Sequence, residues 1–419
     1  MQFQLRLPTS TITARPGRDA LASTLAQLIV SGAAGSKADL ARATGLSRTM
    51  IEPSVDRLLE MGVVRTIGKK GAGRRSRPGE TLAIDPSLCL ILVADCGFAH
   101  CTLAVFDVSQ RLLASESLHL LISEEADERI CRLAARLLAM VEELGLNALP
   151  RRMVFGSAGF VDRSGGRVIF PPHAASSSWD GYPLAERMSA LIGGHVHLEH
   201  DVALRAIGEA SVEPTARGSL AYVKVGSGIG LALVSASGSL EIGADGFAGQ
   251  IAHVRVTDDP VQCSCGNTGC LGAVASMLAM AASLDINSAE LGWSDALLGL
   301  IRAQDPRAVR AVKLSGEYIG QAIVDLINLV NPERVVLGGN LAGSSVHLLA
   351  AVRSVIYDRG LPVTTRSLTV SAPRLGAHSG IAGGLAVALA MELAPEAFRL
   401  RSTVGEEGVG RARLDRSAG

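Results

Sequence analysis

The sequence predicts a mixed α/β protein in two parts, a small basic helical head closed by a hairpin and a larger acidic body. Three observations carry that prediction. Residues 1–85 hold 13 Lys and Arg against 7 Asp and Glu, while the whole chain balances at 40 against 40. Residues 18–85 read as three helical patterns followed by two strand patterns. Further on, a strand, a glycine turn and a second strand recur about 130 residues apart, at Leu90 and again at Leu220.

The chain has 419 residues, 48% of them hydrophobic, enough for two or three domains with cores of their own. No run of eighteen apolar residues is present, so no membrane span is expected. The first residues lack the apolar centre of a secretory signal, which points to a cytoplasmic location. Aromatic residues make up only 3%, too few for a platform that stacks single-stranded bases. Cys89, Cys96, Cys101 and Cys131 lie scattered in apolar segments and read as small buried hydrophobes in a reducing compartment.

In the head, residues 1–17 form an arm. Leu21, Leu25 and Leu28 then share one helical face, with Gly32 as the stop. Ser36 followed by Asp39 is a capping-box pattern, and Gly45 closes the second helix. Ser47 is expected to cap the third. Pro53 inside it deletes one backbone hydrogen bond, so the helix is expected either to kink there or to begin later, near Glu52. The strands "VVRTI" and "ETLAI" flank a basic loop.

That order is a winged helix-turn-helix, which sets the N-terminus of its second helix into the major groove of double-stranded DNA. Ser47, Arg48, Thr49, Met50 and Glu52 are the base-reading candidates. Lys69, Lys70, Arg74, Arg75 and Arg77 are placed to neutralise phosphates or enter a minor groove.

The body alternates strand and helix patterns, so its class is α/β. Within "AHVRVTDDPVQCSCGNTGCLG", His253, Cys263, Cys265 and Cys270 supply an imidazole and three thiolates. That is a closed tetrahedral set for zinc with no position left for water, hence a structural site.

The segments "LARATGLSRTMI", "GSAGFVD", "WDGYPLAERM", "EHDVALRAIGEA", "VKVGSGIGLAL", "GADGFAGQIAHV", "CSCGNTGCLG" and "VVLGGNLAG", in that order, resemble the ROK family (repressors, open reading frames, sugar kinases) over residues 18–395, and specifically its transcriptional-regulator branch. The resemblance implies a two-lobed actin-like, ribonuclease-H-like ATPase body. The small lobe would span 86–200 and be completed by 375–398. The large lobe with its zinc loop would span 201–374, and a polar, glycine-rich tail of disordered composition would span 399–419. It also implies that the clasp histidine turns its other ring nitrogen towards a sugar.

The family's kinases carry Asp-x-Gly-Gly-Thr-Lys at the phosphate turn, where this chain has Asp95, Cys96, Gly97, Phe98, Ala99 and His100. The second glycine, the hydroxyl and the lysine are all replaced. The kinase Asn-Asp pair, whose carboxylate is the general base, becomes His200-Asp201. The sugar-binding Gly-Glu becomes Gly249-Gln250, the Glu after the last zinc cysteine becomes Gly272, and the Asn of a Pro-Asn segment falls at His173. The expected ligand-binding residues are therefore His173, His200, Asp201, Gln250 and His253, with no catalytic residue and Asp201 as a vestigial base.

The sequence thus points to a non-enzymatic regulator that binds a DNA operator, senses a sugar or sugar derivative, and assembles as a dimer or dimer of dimers. Two other readings stand beside it. One is an active sugar kinase with an accessory head; the other is a regulator that answers to a protein partner.

Overall fold

The computed structural model describes residues 1–7, 17–69, 80–147, 149, 151–170, 177–212 and 218–401. The head contains α1 (Arg18–Val30), α2 (Lys37–Thr44), α3 (Arg48–Glu60), β1 (Val64–Lys69) and β2 (Glu80–Ile84), the strands paired antiparallel. Ser36 caps α2 as its spacing predicts. Its hydroxyl oxygen accepts from the Asp39 amide at 3.2 Å and donates to the Asp39 carboxylate at 2.7 Å. Gly45 ends the helix at φ 71°, in the left-handed region. Helix α3 starts at Arg48 and runs unbroken through Pro53, so the expectation of a start near Glu52 is corrected. Pro53 lies on the exposed side, where the carbonyl it leaves unpaired can meet water.

The first lobe follows as β3 (Leu90–Cys96), β4 (His100–Asp107), β5 (Leu112–His119), α4 (Ala126–Glu143), β6 (Arg151–Ser157), β7 (Phe160–Asp162), β8 (Arg167–Phe170), α5 (Leu184–Ile192), β9 (His195–His200) and α6 (Asp201–Val212). Its five-stranded sheet has the order β5-β4-β3-β6-β9. Strand β3 is buried on both faces. Leu90, Leu92 and Ala94 meet the core under α4 and α5, and Ile91 and Val93 meet the opposite core.

The second lobe has β10 (Leu220–Val225), β11 (Ile229–Val234), α7 (Leu271–Ala275), α8 (Met277–Ser283), α9 (Trp293–Arg302), α10 (Pro306–Val330), β12 (Arg334–Gly338), α11 (Asn340–Ser344), α12 (Val346–Arg359), α13 (Pro362–Thr365) and β13 (Thr369–Ser371). Its sheet order is β11-β10-β12-β13. The repeated plan is visible in the register. β3 runs antiparallel to β4 and parallel to β6, and β10 runs antiparallel to β11 and parallel to β12. The last helix, α14 (Ser379–Glu392), returns to pack on β3, β6 and α6 of the first lobe. Residues 399–401, placed in the disordered tail by composition, continue a short helix anchored by fully buried Phe398; the tail from 402 on lies outside the described residues. No single helix among the described residues is long and apolar enough to cross a membrane.

Head and body share one apolar core. Phe3, Leu5 and Leu7 of the arm are buried with Leu25 and Ile29 of α1, and with Leu389, Leu393 and Phe398 of the body. The Leu5 amide donates to Gln110 Oε1 at 2.7 Å, Gln110 Nε2 donates to the Val30 carbonyl at 2.8 Å, and Ser23 donates to the Leu393 carbonyl at 2.5 Å. An apolar residue at every second position reads as a strand, and nothing in that pattern says which core it enters.

Helices α6 and α14 cross at backbone distance. A Cβ on Gly383 would stand 1.7 Å from the Leu204 carbonyl oxygen, and one on Gly208 would stand 2.2 Å from that of Ser379. Gly383→Ala should therefore destabilise the chain by about 3 kcal/mol or more, the upper part of the overpacking range. Gly299→Ala in α9 meets nothing within 4 Å and should stabilise by roughly 0.5–1 kcal/mol. Urea unfolding of both variants checks the pair; equal effects would show that the crossing is not sterically limited.

Candidate functional site in the interlobe cleft

The two glycine turns face each other across the cleft. Gly97 donates to the His100 carbonyl and Gly226 to the Gly228 carbonyl, each at 2.9 Å. A Cβ on Gly228 would lie 3.6 Å from Phe98 Cε2, so the Phe98 ring fills space between the turns. Below the first turn, Cys96 and Cys101 are joined in a disulfide, which corrects their reading as separate reduced thiols. They are register partners across the hairpin, with Cα atoms 4.1 Å apart. Cys89 is buried as expected, its thiol pushed up to about 11 by desolvation, whereas Cys131 is only half-buried, beside Asp127 and Arg187.

Two carboxylates lie beneath the turns, each with its own cation. Arg205 Nη2 donates to Asp95 Oδ2 at 2.6 Å, and Lys224 Nζ donates to Asp201 Oδ2. Both aspartates are buried. Burial pushes the Asp95 carboxyl upward against the pull of Arg205. Burial would also raise Asp201, but Lys224, His200 and Arg205 together outweigh it and hold that carboxyl below the usual range. His200 lies 3.8 Å from Asp201, and burial lowers its pKa against the pull of that carboxylate.

Above Asp201 opens a cavity of about 360 Å³, lined from both lobes. His200, Asp201, Gln250 and His253, four of the expected ligand residues, all face it, together with Phe160 and Lys224. His173 lies outside the described residues. Gly272 also lines the cavity. A Cβ there would meet Ala252 at 3.3 Å, so this first turn of α7 has little room for a longer side chain.

The clasp stands at the cavity wall. The ligand atoms of His253, Cys263, Cys265 and Cys270 lie within 4.8 Å of one another and could hold a metal ion. His253 Nδ1 is 3.5 Å from Cys263 Sγ, and Cys265 Sγ is 3.8 Å from Cys270 Sγ. The loop closes through Gly269 at φ 69°, whose Cβ would collide with the Thr257 carbonyl at 2.1 Å. The other side of the His253 ring is stacked on Phe160 of the first lobe, with centroids 6.3 Å apart.

On the head, Ser47, Arg48, Thr49, Met50 and Glu52 are exposed together at the start of α3. Ser47 does not cap the helix with its side chain; its hydroxyl pairs with that of Thr49 at 2.9 Å. Lys69 ends β1, while Lys70, Arg74, Arg75 and Arg77 lie outside the described residues.

The family model that matches residues 91–391 is that of the ROK family. The chain belongs to the ROK family. A putative xylose repressor from Caldicellulosiruptor sp. (strain Rt8B.4) is 24% identical over 86% of this chain and 92% of its own length. The DNA-binding transcriptional dual regulator NagC of Escherichia coli (strain K12) is 24% identical over 85% and 89%. A glucokinase from Halalkalibacterium halodurans is 27% identical but covers only 55% of this chain and 73% of its own. Among solved structures, a ROK family transcriptional regulator, a homologue of the E. coli MLC protein, superposes with a TM-score of 0.71 over 92% of this chain and 98% of its own at 20% identity. A ROK glucokinase from Streptomyces griseus, solved with glucose and AMPPNP, reaches 0.58 over 72% and 99% at 22% identity. The actin-like body expected from the sequence thus has its counterpart in solved folds of this family.

Lys224, Arg205, Arg163 and Glu199 were not singled out by sequence reasoning. Arg163 binds Glu199 through Nε at 2.9 Å and reaches the Gly246 carbonyl of the other lobe at 2.8 Å. The one local signal was a charge inside an apolar strand, Lys224 in "LAYVKV". Asp201 titrates below its ordinary value in the folded chain. The stability from its ionised form is therefore complete above the usual carboxylate pKa and is lost as pH falls through the folded value. Lys224→Met removes the cation, leaves the burial, and should turn that shift upward. The variant should lose about 3–5 kcal/mol near neutral pH. The loss should shrink as pH falls below neutral and the buried carboxyl of the variant takes a proton. Thermal melts of both proteins across this range test it; a loss independent of pH would separate Asp201 from Lys224.

Proposed function

We propose that this protein is a DNA-binding transcriptional regulator, a repressor of carbohydrate-related genes, whose kinase-like body binds a sugar or sugar derivative without phosphorylating it. The observation that carries this reading is the shared core. A head built to present α3 is continuous, through Phe3, Leu5 and Leu393, with the lobe that lines the cavity. A ligand that prefers one lobe arrangement then shifts the population of head positions. A homodimer would convert that shift into a change of half-site spacing on the operator. The names of the relatives that match nearly full length, a putative xylose repressor and a DNA-binding transcriptional regulator, agree with this, and a protein that acts on a DNA operator works in the cytoplasm.

The cleft chemistry supports the non-enzymatic part. Phosphoryl transfer depends on positioning and charge stabilisation at the phosphates. Here Phe98 occupies the space between the turns, and Lys224 and Arg205 are already engaged by internal carboxylates. The retained Asp201 carboxylate favours the second reading, an active sugar kinase. One experiment separates them. Duplexes selected from a random pool by the full chain are titrated at several salt concentrations, with and without a panel of sugars and phosphosugars. ADP release is followed on the same panel. A sugar that alters DNA affinity without ADP release is expected, and Arg48→Ala should lower discrimination at one base position by roughly 1–3 kcal/mol. Sugar-dependent turnover that vanishes in Asp201→Asn would establish the kinase instead.

The clasp is assigned to zinc. Three thiols and an imidazole in one cluster are a soft, four-donor set that suits a tetrahedral structural ion, and burial keeps His253 neutral and able to bind. When bound, the ion fixes the loop and the His253 ring against the cavity. Freshly purified protein should contain about one zinc per chain, and Cys265→Ser should lower both zinc content and melting temperature. Elemental analysis without zinc would remove the ion from this account.

A further inference from the structure

His100 stands where the family resemblance expects a lysine, and the proposed function gives it no role. It is the first residue of β4, directly after the phosphate turn. Its register partner across the β4–β5 pair is His119, the last residue of β5. The two rings lie on the same side of the sheet with centroids 4.7 Å apart. Asp295, in the first turn of α9, reaches them from the opposite lobe. His100 Nε2 is 3.8 Å from Asp295 Oδ1, and His119 Nε2 is 3.5 Å from Asp295 Oδ2.

We propose that His100, His119 and Asp295 form a second metal site, distinct from the cysteine clasp, which binds a divalent first-row ion such as nickel, cobalt or zinc and ties the first lobe to the second. Geometry, donor chemistry and access support it. One potential ligand atom from each residue lies within 4.8 Å of the other two. An ion bonded at about 2.0–2.1 Å to tetrahedral ligands sets them roughly 3.3–3.4 Å apart; each imidazole already lies 3.5–3.8 Å from its own oxygen of the Asp295 carboxylate, so the cluster must contract from its present spread of up to 4.8 Å to close on an ion. The donor types, two imidazoles and one carboxylate without thiolate, suit nickel, cobalt or zinc rather than calcium or magnesium. His119 and Asp295 are about half exposed, at 46% and 50% of their side-chain surface, so an ion can enter from solvent.

The site has a consequence for the cleft. Two of its ligands are carried by the β4–β5 pair, and His100 accepts the hydrogen bond of Gly97 in the first glycine turn. The third is carried by the helix after the clasp and α8. An ion bound to all three favours the arrangement in which the lobes approach, and is bound more tightly in it. Three protein donors leave at least one coordination position to water or to a ligand.

The test uses untagged full-length protein with its clasp loaded with zinc, dialysed against micromolar nickel, with both metals counted by elemental analysis. The wild type should gain about one nickel per chain while keeping its zinc, and its melting temperature should rise with nickel concentration. His119→Ala and Asp295→Asn should each bind nickel at least about tenfold more weakly, keep their zinc, and lose the thermal response. Both side chains are partly exposed, so the variants should fold; circular dichroism checks this, and His100→Gln serves if one of them does not. No nickel beyond the zinc, nickel gained at the expense of zinc, or nickel held equally by both variants would overturn the assignment.

Discussion

The crossing of α6 and α14 is the constraint on which the rest of the molecule depends. Both helices carry glycine where they touch, because a Cβ on Gly208 or Gly383 would enter the partner's backbone. Glu209, fully buried, ties the pair further: its oxygens accept from the Arg374 and Leu375 amides and from the Ser379 hydroxyl, each at 2.9 Å. The start of α6 is Asp201 itself, and Gly380 near the start of α14 lies against the Asp95 carboxylate. The far ends of the same helices meet the head, where Ser211 accepts from the Arg6 amide and Leu393 from the Ser23 hydroxyl. One rigid helix pair thus has the cleft carboxylates at one end and the head that presents α3 at the other. Loose packing would absorb a small displacement; contact at backbone distance leaves little slack.

The charges in the cleft are arranged differently from those of a phosphate-binding site. Such a site keeps its cations free for the ligand. Here Arg205 and Lys224 are engaged by carboxylates buried in the same protein, so an incoming anion must compete with a ligand already in place. Removing one member of such a pair costs far more than the pair contributes over an apolar replacement. Stability alone therefore gives little reason for them. Their effect is on position: Lys224 reaches from β10 of the second lobe to the first residue of α6, and Arg163 reaches from the first lobe to Gly246 of the second. The lobes are held by polar contacts that a ligand can exchange, around a cavity that water can enter.

Local signals were legible in the sequence, and long-range partners were not. The Ser36 cap, the Gly45 stop, the head hairpin and the duplicated strand–turn–strand units each lie within a few residues of one another and obey rules of local geometry. The clasp was readable because three of its four donors fall within one short loop. By contrast, Arg205 pairs with a carboxylate 110 residues away, and Arg163 with one 36 residues away. The cysteines of the first turn were five residues apart, yet only the hairpin register made them partners. Glycine inside a helix is locally unfavourable, and nothing near Gly208 or Gly383 in the chain shows that a second backbone occupies the missing side chain's place. The arm was legible only as an arm, not as the joint that Phe3, Leu5 and Leu7 fill.

His253 connects the clasp to the rest of this mechanics. One edge of its ring faces the thiol cluster, and its face lies on Phe160 of the opposite lobe, beside the cavity. Phe160 also packs edge-on against Phe247, which lies on the loop reached by Arg163. An ion in the clasp that fixes the imidazole therefore fixes one wall of the cavity and the surface on which the other lobe closes. Linkage then requires the two bindings to be coupled. If the ring is better placed for a ligand when the ion is present, the ligand must in turn hold the ion more tightly. A site with no catalytic position of its own can set the affinity of the cavity beside it, because both act on one ring and one lobe contact.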